Sequence, residues 1–446
     1  MNVLHRLQQS LHAALSGLVP DAAPYAAMLK PAQGARFGDY QANCAMPMAK
    51  ALGGKQNPQD VAQSIVQRLD LGDVLEAPDV AGPGFINLRL RTDWLARQLQ
   101  ALARDERLGV EPAAAPRTVV IDYSSPNVAK PMHVGHLRST IIGDALARLY
   151  RFLGHHVITD NHLGDWGTQF GILLYGYKNF LDEAAFKADP VRELARLYVH
   201  VRSLFRVAGE DEEEDNAADP VQQACREETA KLHAGDEENV RLWKMFMPYC
   251  REDIDRIYRR LDVHFDHTLG ESFYNPMLPG VVRDLLQKGI AQESEGAVIV
   301  SRGEGLPPAL IRKRDGAFTY TTTDLATIQY RLTEWHAEAV LYVVDFRQKF
   351  HFESLFAAAK RWGCAADLEH VSFGTVLGRD RKPFKTRSGG VPELGDLLDE
   401  SIRHAAQVYE ANRREAVERG QDVPELSAEE LGCVHEVVGY GAVKYA

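Results

Sequence analysis

The 446-residue sequence has little cysteine. Cys44, Cys225, Cys250, Cys364 and Cys433 are widely spaced, and no two form a C-x-x-C pair. That spacing argues against a zinc site or a disulfide framework and fits a reducing cytoplasm. Long apolar runs are missing as well: none approaches the roughly 20 residues needed to span a bilayer. The first eighteen residues have no unbroken apolar centre. Val3, Leu4, Leu7, Leu11, Leu15 and Leu18 recur at helical spacing among Gln8, Gln9, Ser10 and His12, which predicts an amphipathic helix and not a signal peptide. Excess positive charge is also absent, since 51 Lys and Arg face 62 Asp and Glu, a net −11. This excludes a generic nucleic-acid coat and leaves room for a local basic face. There are no internal repeats.

What is present is an ordinary globular mix, 45% apolar and 25% charged, in a chain too long for one hydrophobic core. Residues 1–110 read as a small α+β domain. Two stretches stand out there, Phe37-Gly38-Asp39-Tyr40-Gln41 and Ala81-Gly82-Pro83-Gly84-Phe85-Ile86-Asn87-Leu88, the second a turn entering a strand over Phe85–Leu90. Glu111–Pro116 reads as a linker. A strand over Thr118–Tyr123 follows, then a proline-containing loop and a helix from about Gly135. The apolar face of that helix is predicted at Leu137, Ile141, Ile142, Ala145, Leu146, Leu149, Phe152 and Leu153, with Gly154 as its stop. A strand over His156–Thr159 completes a βαβ unit. Residues 180–265 read as a helical insertion. Further strand-like segments lie at Ala297–Val300, Phe318–Thr321, Val340–Val344 and Val371–Leu377, and helices return over Leu397–Ala411 and Ala428–Val438. The fold class is therefore α/β. A Rossmann-like parallel-sheet domain spans 116–395, preceded by the α+β domain and followed over 396–446 by the start of a helical region.

The chemistry concentrates at Ser124-Ser125-Pro126-Asn127-Val128-Ala129-Lys130-Pro131-Met132-His133-Val134-Gly135-His136, between the first strand of the βαβ unit and its helix. Open α/β sheets bind ligands at the carboxyl ends of their strands. A helix N-terminus there offers free N–H groups and partial positive charge to phosphate. His133 and His136 are three apart and point the same way in the first turn, and Gly135 allows close approach of a ring. A lone pair of histidines in such a place more often only caps the helix. Lys130 three residues upstream, together with the βαβ setting, turns the reading toward nucleotide binding.

His-Val-Gly-His in this setting resembles the class I aminoacyl-tRNA synthetases. The longer string Ser125–Thr140 and His162-Leu163-Gly164-Asp165-Trp166-Gly167-Thr168-Gln169-Phe170-Gly171 resemble the arginyl-tRNA synthetase family, and the two N-terminal stretches resemble that family's extra domain, which touches the tRNA elbow. Gly270-Glu271-Ser272, Tyr320-Thr321-Thr322-Thr323-Asp324 and Asp345–Phe352 resemble segments that build its arginine pocket. The resemblance implies an enzyme that activates arginine with ATP and transfers it to the 3′-terminal adenosine of tRNA(Arg), with activation requiring bound tRNA. It places arginine against Ser125, Pro126, Asn127, His136, Glu271, Tyr320, Asp324 and Gln348. ATP lies against Lys130, His133, Gly135, His136, Thr386 and Arg387, with His133, His136, Lys130, Lys385 and Arg387 as catalytic groups. ATP enters with Mg²⁺ as co-substrate. No resident metal and no zinc are expected, and the protein is expected to be a cytoplasmic monomer off the membrane.

These residue types suit the substrate. A guanidinium is a planar fork of five donors with no acceptor, so paired carboxylates such as Glu271 and Asp324 match it. Lysine would leave buried acceptors unpaired, and such a site rejects the wrong substrate by roughly 10⁴–10⁵ without editing. The helical insertion is accordingly expected to be structural or tRNA-facing. Taken singly, Glu271 reads as a surface acid, Asp324 as a helix cap and Tyr320 as a core residue; the functional reading rests on their combination.

Two departures stand out. The family's second lysine-rich motif is degenerate, as Phe384-Lys385-Thr386-Arg387-Ser388-Gly389-Gly390, with Arg387 where the second lysine usually stands and with Arg379, Arg381 and Lys382 nearby. The resemblance implies that Lys130 takes over part of that role. Gly439–Ala446 resembles the start of a segment that continues, in the family, into an anticodon-binding domain. Two rival classes make opposite demands. A catalytically dead RNA-binding or scaffold relative would lose His133, His136 or the acid pair. A ligase acting on a small molecule through an adenylate would lack the front domain.

Overall fold

The structure, a computed structural model, describes residues 3–54, 56–205, 219–301, 308–376 and 393–446. The chain forms two compact units, Met1–Ala113 and Ala114–Ala446.

In the first unit, helices α1 (Val3–Leu15), α2 (Ala23–Ala26), α3 (Ala45–Ala51), α4 (Pro58–Arg68) and α5 (Thr92–Leu102) accompany an antiparallel sheet. Its strands are β1 (Leu29–Pro31), β2 (Tyr40–Ala42), β3 (Asp79–Ala81) and β4 (Phe85–Leu88), in the order β1-β2-β4-β3. The amphipathic start is confirmed as α1, which buries Leu7, Leu11, Ala14 and Leu15. The strand expected over Phe85–Leu90 stops at Leu88, and Leu90 pairs only as an isolated bridge with Leu75. The two stretches singled out by sequence meet here. Gln41 pairs with Asn87 across β2 and β4, and its Nε2 donates to Asn87 Oδ1 at 2.7 Å. Gly84, at φ +107°, has the Pro58 carbonyl oxygen 2.7 Å from where a Cβ would stand, so a side chain fits neither the conformation nor the space.

The second unit is built on a parallel sheet of β5 (Thr118–Tyr123), β6 (His156–Asp160), β10 (Ala339–Asp345) and β11 (Asp367–Phe373), in the order β11-β10-β5-β6. The α/β class and the βαβ unit stand as predicted. β5 runs into α6 (Val134–Phe152) and then β6. β5 is buried over Val119–Tyr123, as a strand covered on both faces should be. Helices α7 (Thr168–Phe180), α8 (Glu183–Ala188), α9 (Pro190–Ser203), α10 (Pro220–His233) and α11 (Glu237–Leu261) follow, so the helical stretch starts at Thr168, ahead of the expected 180. Each of α8 to α11 opens on an aspartate, Asp182, Asp189, Asp219 or Asp236, whose carboxylate accepts first-turn N–H bonds.

After α12 (Glu271–Tyr274) and α13 (Leu278–Gln287), strands β7 (Ala291–Ser294), β8 (Ala297–Val300) and β9 (Ala309–Arg312) make a separate antiparallel sheet. α14 (Tyr320–Thr333) and α15 (Lys349–Trp362) flank β10, and α16 (Leu394–Glu418) and α17 (Ala428–Tyr445) pair at the end. Among the described residues no helix is long and apolar enough to cross a membrane.

Three sequence expectations need correction. Phe318–Thr321 is not a strand. Thr319 is the N-cap residue of α14, its Oγ1 donating to Leu310 O at 2.6 Å, and the β-branched threonines that suggested a strand lie in the helix's first turn. The last strand begins at Asp367, four residues before the expected Val371. It lies at the sheet edge with a half-exposed, partly polar pattern that masks it, and Leu377 lies outside the described residues. Finally, α6 buries Ser139, Thr140, Gly143, Asp144 and Ala147, whereas Leu149 is half-exposed. A Cβ on Gly143 would lie 2.1 Å from Tyr123 Cγ, so the closest approach to β5 is through a small residue, while Leu137, Ile142 and Leu146 of the predicted face pack against the core only partly buried.

Gly143→Ala is expected to destabilise the unit by about 1–3 kcal/mol through overpacking, read as a lower thermal midpoint.

Candidate active site

The carboxyl end of β5 carries two consecutive left-handed residues, Ser124 at φ 70° and Ser125 at φ 46°. Non-glycine residues adopt this conformation at some energetic cost, and the surroundings hold them there. Ser124 N donates to Ser139 Oγ at 2.8 Å, and its hydroxyl lies 2.7 Å from Thr140 Oγ1 and 2.8 Å from Tyr258 OH. Ser125 N donates to Asn161 Oδ1 at 3.1 Å, and its hydroxyl donates to Asp122 Oδ1 at 2.9 Å. The loop then runs beside the segment after β6. Asn127 bridges Gly164, and Gly164 N donates to Pro126 O at 3.1 Å.

At the start of α6 the two histidines form a reciprocal cap. His133 N donates to His136 Nδ1 at 3.1 Å, Gly135 N donates to His133 Nδ1 at 3.1 Å, and the rings lie 4.0 Å apart. A Cβ on Gly135 would sit 2.8 Å from His133 Cε1, so the glycine makes room for the imidazole. Burial, reinforced by His133 and Lys130, pushes the His136 imidazole down to about 3, so it is neutral at physiological pH. With Nδ1 accepting in both rings, each neutral imidazole presents Nε2–H as a donor. Lys130 Nζ lies 5.3 Å from the Tyr198 ring of α9.

The acid pair comes from two helices. Gly270-Glu271-Ser272 closes around Asp165. Ser272 N and Oγ donate to its carboxylate at 2.8 and 2.6 Å, and a Cβ on Gly270 would lie 2.3 Å from Asp165 Cγ. Glu271, whose N–H donates to Leu163 O at 3.0 Å, is thereby presented from the first turn of α12. Burial, with Asp165 and Asp324 adding to it against His162, pushes the Glu271 carboxyl up to about 7. Tyr320 and Asp324 stand one turn apart on α14, so they share a face. Tyr320 is 67% exposed, and Asp324 lies 2.6 Å from His351 Nε2. Gln348 is exposed at the start of α15, one turn before His351.

Beneath the site, the fully buried Arg331 of α14 donates through Nη2 to Asp122 Oδ2 at 2.6 Å and Asp160 Oδ2 at 2.7 Å, with the Tyr342 ring 5.4 Å from its guanidinium carbon. Lys385, Thr386 and Arg387 lie outside the described residues. Glu393, the first described residue after them, bridges His133, and Leu394 N donates to Met132 O at 2.8 Å.

Residues 98–446 match the family described as tRNA synthetases class I (R), catalytic domain, and residues 5–90 match the arginyl tRNA synthetase N terminal domain. The chain belongs to the arginyl-tRNA synthetase family. An arginine–tRNA ligase of Rhodopirellula baltica is 43% identical, with 100% of this chain and 77% of the relative covered, and one of Synechococcus elongatus is 41% identical, with 99% and 75% covered. Among solved structures, arginyl-tRNA synthetase of Plasmodium falciparum superposes at TM-score 0.73 with 28% identity over 99% of this chain and 73% of that one. The Thermus thermophilus arginyl-tRNA synthetase superposes at 0.70 and 22% over 99% and 74%, a likeness of fold.

In this arginyl-tRNA synthetase frame, the residues singled out by sequence divide in two. Ser125, Pro126, Asn127, Lys130, His133, Gly135 and His136 lie in one continuous loop and helix start, while Glu271 and Asp324 interact electrostatically from α12 and α14. Sequence reasoning quoted Asp165, which holds the Glu271 turn, without assigning it a task, and missed Asp122 and Arg331, which hold the floor. It quoted His351 without assigning it a task. An aspartate interrupting the apolar run Val119–Tyr123, and an arginine beside Ile328 and Leu332, were the available signals.

Arg331→Leu would strand two buried carboxylates. It is expected to cost about 3–5 kcal/mol, read by urea unfolding. Glu271 bears on stability with the opposite sign from an ordinary acid. Unfolded it ionises near 4.5, and folded near 7. The unfolded state therefore sheds the proton first, and stability falls as pH rises from 4.5 to 7. Glu271→Gln should melt above the parent at pH 8 and close to it at pH 4.

Proposed function

We infer that the chain is an arginine–tRNA ligase that activates arginine with ATP to arginyl-adenylate, releasing pyrophosphate, and transfers the arginyl group to the 3′-terminal adenosine of tRNA(Arg). The observation that carries the reading is the pair of carboxylates, Glu271 and Asp324, close enough to act on each other electrostatically, in the same unit as a helix start that presents two imidazole N–H donors.

The arginine guanidinium bonds Glu271 and Asp324, with Tyr320 packing along the chain. Ser125, Pro126 and Asn127 line the backbone end together with Gln348 and His136. Bound arginine favours the ionised Glu271, so the positive charge of the substrate completes a site that is electrostatically unfavourable when empty. The arginine carboxylate attacks the α-phosphorus of Mg²⁺-ATP in line. Little covalent work falls to the protein, and positioning and charge stabilisation dominate. The Nε2–H groups of His133 and His136 donate to phosphate oxygens at the positive end of α6, and a neutral His136 does so without repelling the arginine cation. Lys130, with Lys385, Thr386 and Arg387, supplies cationic charge and donors to the phosphates. Gly135 leaves room for the His133 ring to fold over the helix start where ATP binds. The 2′-hydroxyl of the terminal adenosine then attacks the adenylate carbonyl and loses its proton, and the mixed-anhydride bond breaks to release AMP. The domain over 1–110 takes the tRNA elbow, activation requires bound tRNA, and the enzyme works as a cytoplasmic monomer without zinc.

The test is charging of purified tRNA(Arg) with labelled arginine or lysine. The intact chain should charge arginine and not lysine. Glu271→Ala should lower kcat/KM for arginine roughly 30- to 5,000-fold, the equivalent of about 2–5 kcal/mol for a lost charge pair. Equal charging of lysine would overturn the pocket assignment, and pyrophosphate exchange at full rate without tRNA would overturn the tRNA dependence.

A further inference from the structure

The chemistry above gives no task to His351, yet its Nε2 lies 2.6 Å from Asp324 Oδ2, the two side chains being 29% and 24% exposed. A carboxylate only accepts, so Nε2 carries the proton. One oxygen of the residue assigned to hold the substrate is therefore engaged before any substrate arrives. Among the described residues, the charged and titratable groups on His351's own helix include Lys349 and Glu353, which lie 3.9 Å from each other. Asp324 faces it from α14, and Glu271 on α12 faces Asp324 in turn. Arg347, in the turn before α15, is tied to Asp345 at 2.8 Å. His370 on β11 bonds Val344 O at 3.0 Å with its ring against Phe352, and Arg312 on β9 lies 3.8 Å from Glu293. Burial by itself would lower the His351 imidazole, but Asp324 outweighs it and holds the group above the ordinary histidine value.

A guanidinium arriving at Asp324 sets a second cation beside an imidazolium on the same carboxylate. Two like charges at that separation disfavour each other, and the one able to discharge does so. We propose that His351 is a positioning residue for Asp324: its Nε2–H fixes the carboxylate, and its Nδ1 proton leaves to solvent when the arginine guanidinium takes the other carboxylate oxygen. The proposal rests on Asp324 being a guanidinium acceptor. The neutral imidazole remains bonded to Oδ2 and holds Oδ1 toward the substrate. Glu271 gives up its own proton in the same event, so two protons leave when both groups begin protonated.

The experiment measures KM for arginine in tRNA charging from about pH 6 to 8.5 for the parent, His351→Gln, His351→Ala and Asp324→Asn. Glutamine keeps a donor toward Asp324 and has no proton to lose. At the acid end the parent KM should rise toward about a hundredfold per pH unit, two linked protons, and that of His351→Gln toward about tenfold, one. At pH 8.5 His351→Gln should lie within about threefold of the parent, and His351→Ala should be raised about tenfold, the worth of a hydrogen bond to a charged group. Calorimetric titration of arginine at pH 6 in two buffers of different ionisation enthalpy should count one proton fewer for His351→Gln. Equal slopes and equal proton counts for the parent and His351→Gln, with Asp324→Asn still raising KM, would overturn the proposal alone. An unchanged KM for Asp324→Asn would overturn the reading of Asp324 and the proposal with it.

Discussion

A guanidinium with no access to water holds the floor of the site together. Arg331 reaches from α14 to the carboxylates at the ends of β5 and β6. The helix that carries Tyr320 and Asp324 is thereby locked to the two strands whose ends open into the Ser124–Asn127 loop and the His162–Gly167 segment. Asp122 works in both directions, since its second oxygen accepts from the Ser125 hydroxyl and helps hold a strained turn. An interior charge is tolerable only when paired, and here the pairing also aligns both halves of the proposed arginine site.

The same logic governs the acids above that floor. Burial makes Glu271 reluctant to ionise, while the Ser272 bonds to Asp165 keep its turn from relaxing away. A carboxyl held in this way is unfavourable when ionised, and a cationic ligand of the kind proposed would relieve it. A neutral His136 fits the pattern, because a charged imidazole near the substrate would work against it.

The βαβ unit was legible because local signals agree there. β5 spans the predicted residues, and α6 and β6 fall within a residue of their predicted bounds, since strand burial, a glycine stop and the helix start all act over a few positions. The long strings around His133 and Trp166 likewise made the family readable. The buried face of α6 was legible only in part: Leu137, Ile142 and Leu146 do pack against the core, but the tight contact of Gly143 with Tyr123 belongs to packing and not to periodicity. The Arg331 cluster, whose partners lie 209 and 171 residues away in sequence, was not legible. The antiparallel sheet β7–β9 was seen only at its middle strand, because β7 is largely polar and β9 is a short half-buried stretch of four residues just after two prolines.

The bridge between Glu393 and His133, with the bond from Leu394 N to Met132 O, puts α16 mechanically in series with the histidine loop. α16 is itself clamped, through Asp399, to Arg260 of α11, which also bonds Tyr440 of α17. The chain's last helices and the N-terminal end of α6 are thus parts of one linkage. A tilt of the helical pair would strain the short splice at Leu394, and that strain would fall first on the His133 loop, to which ATP binding is assigned above.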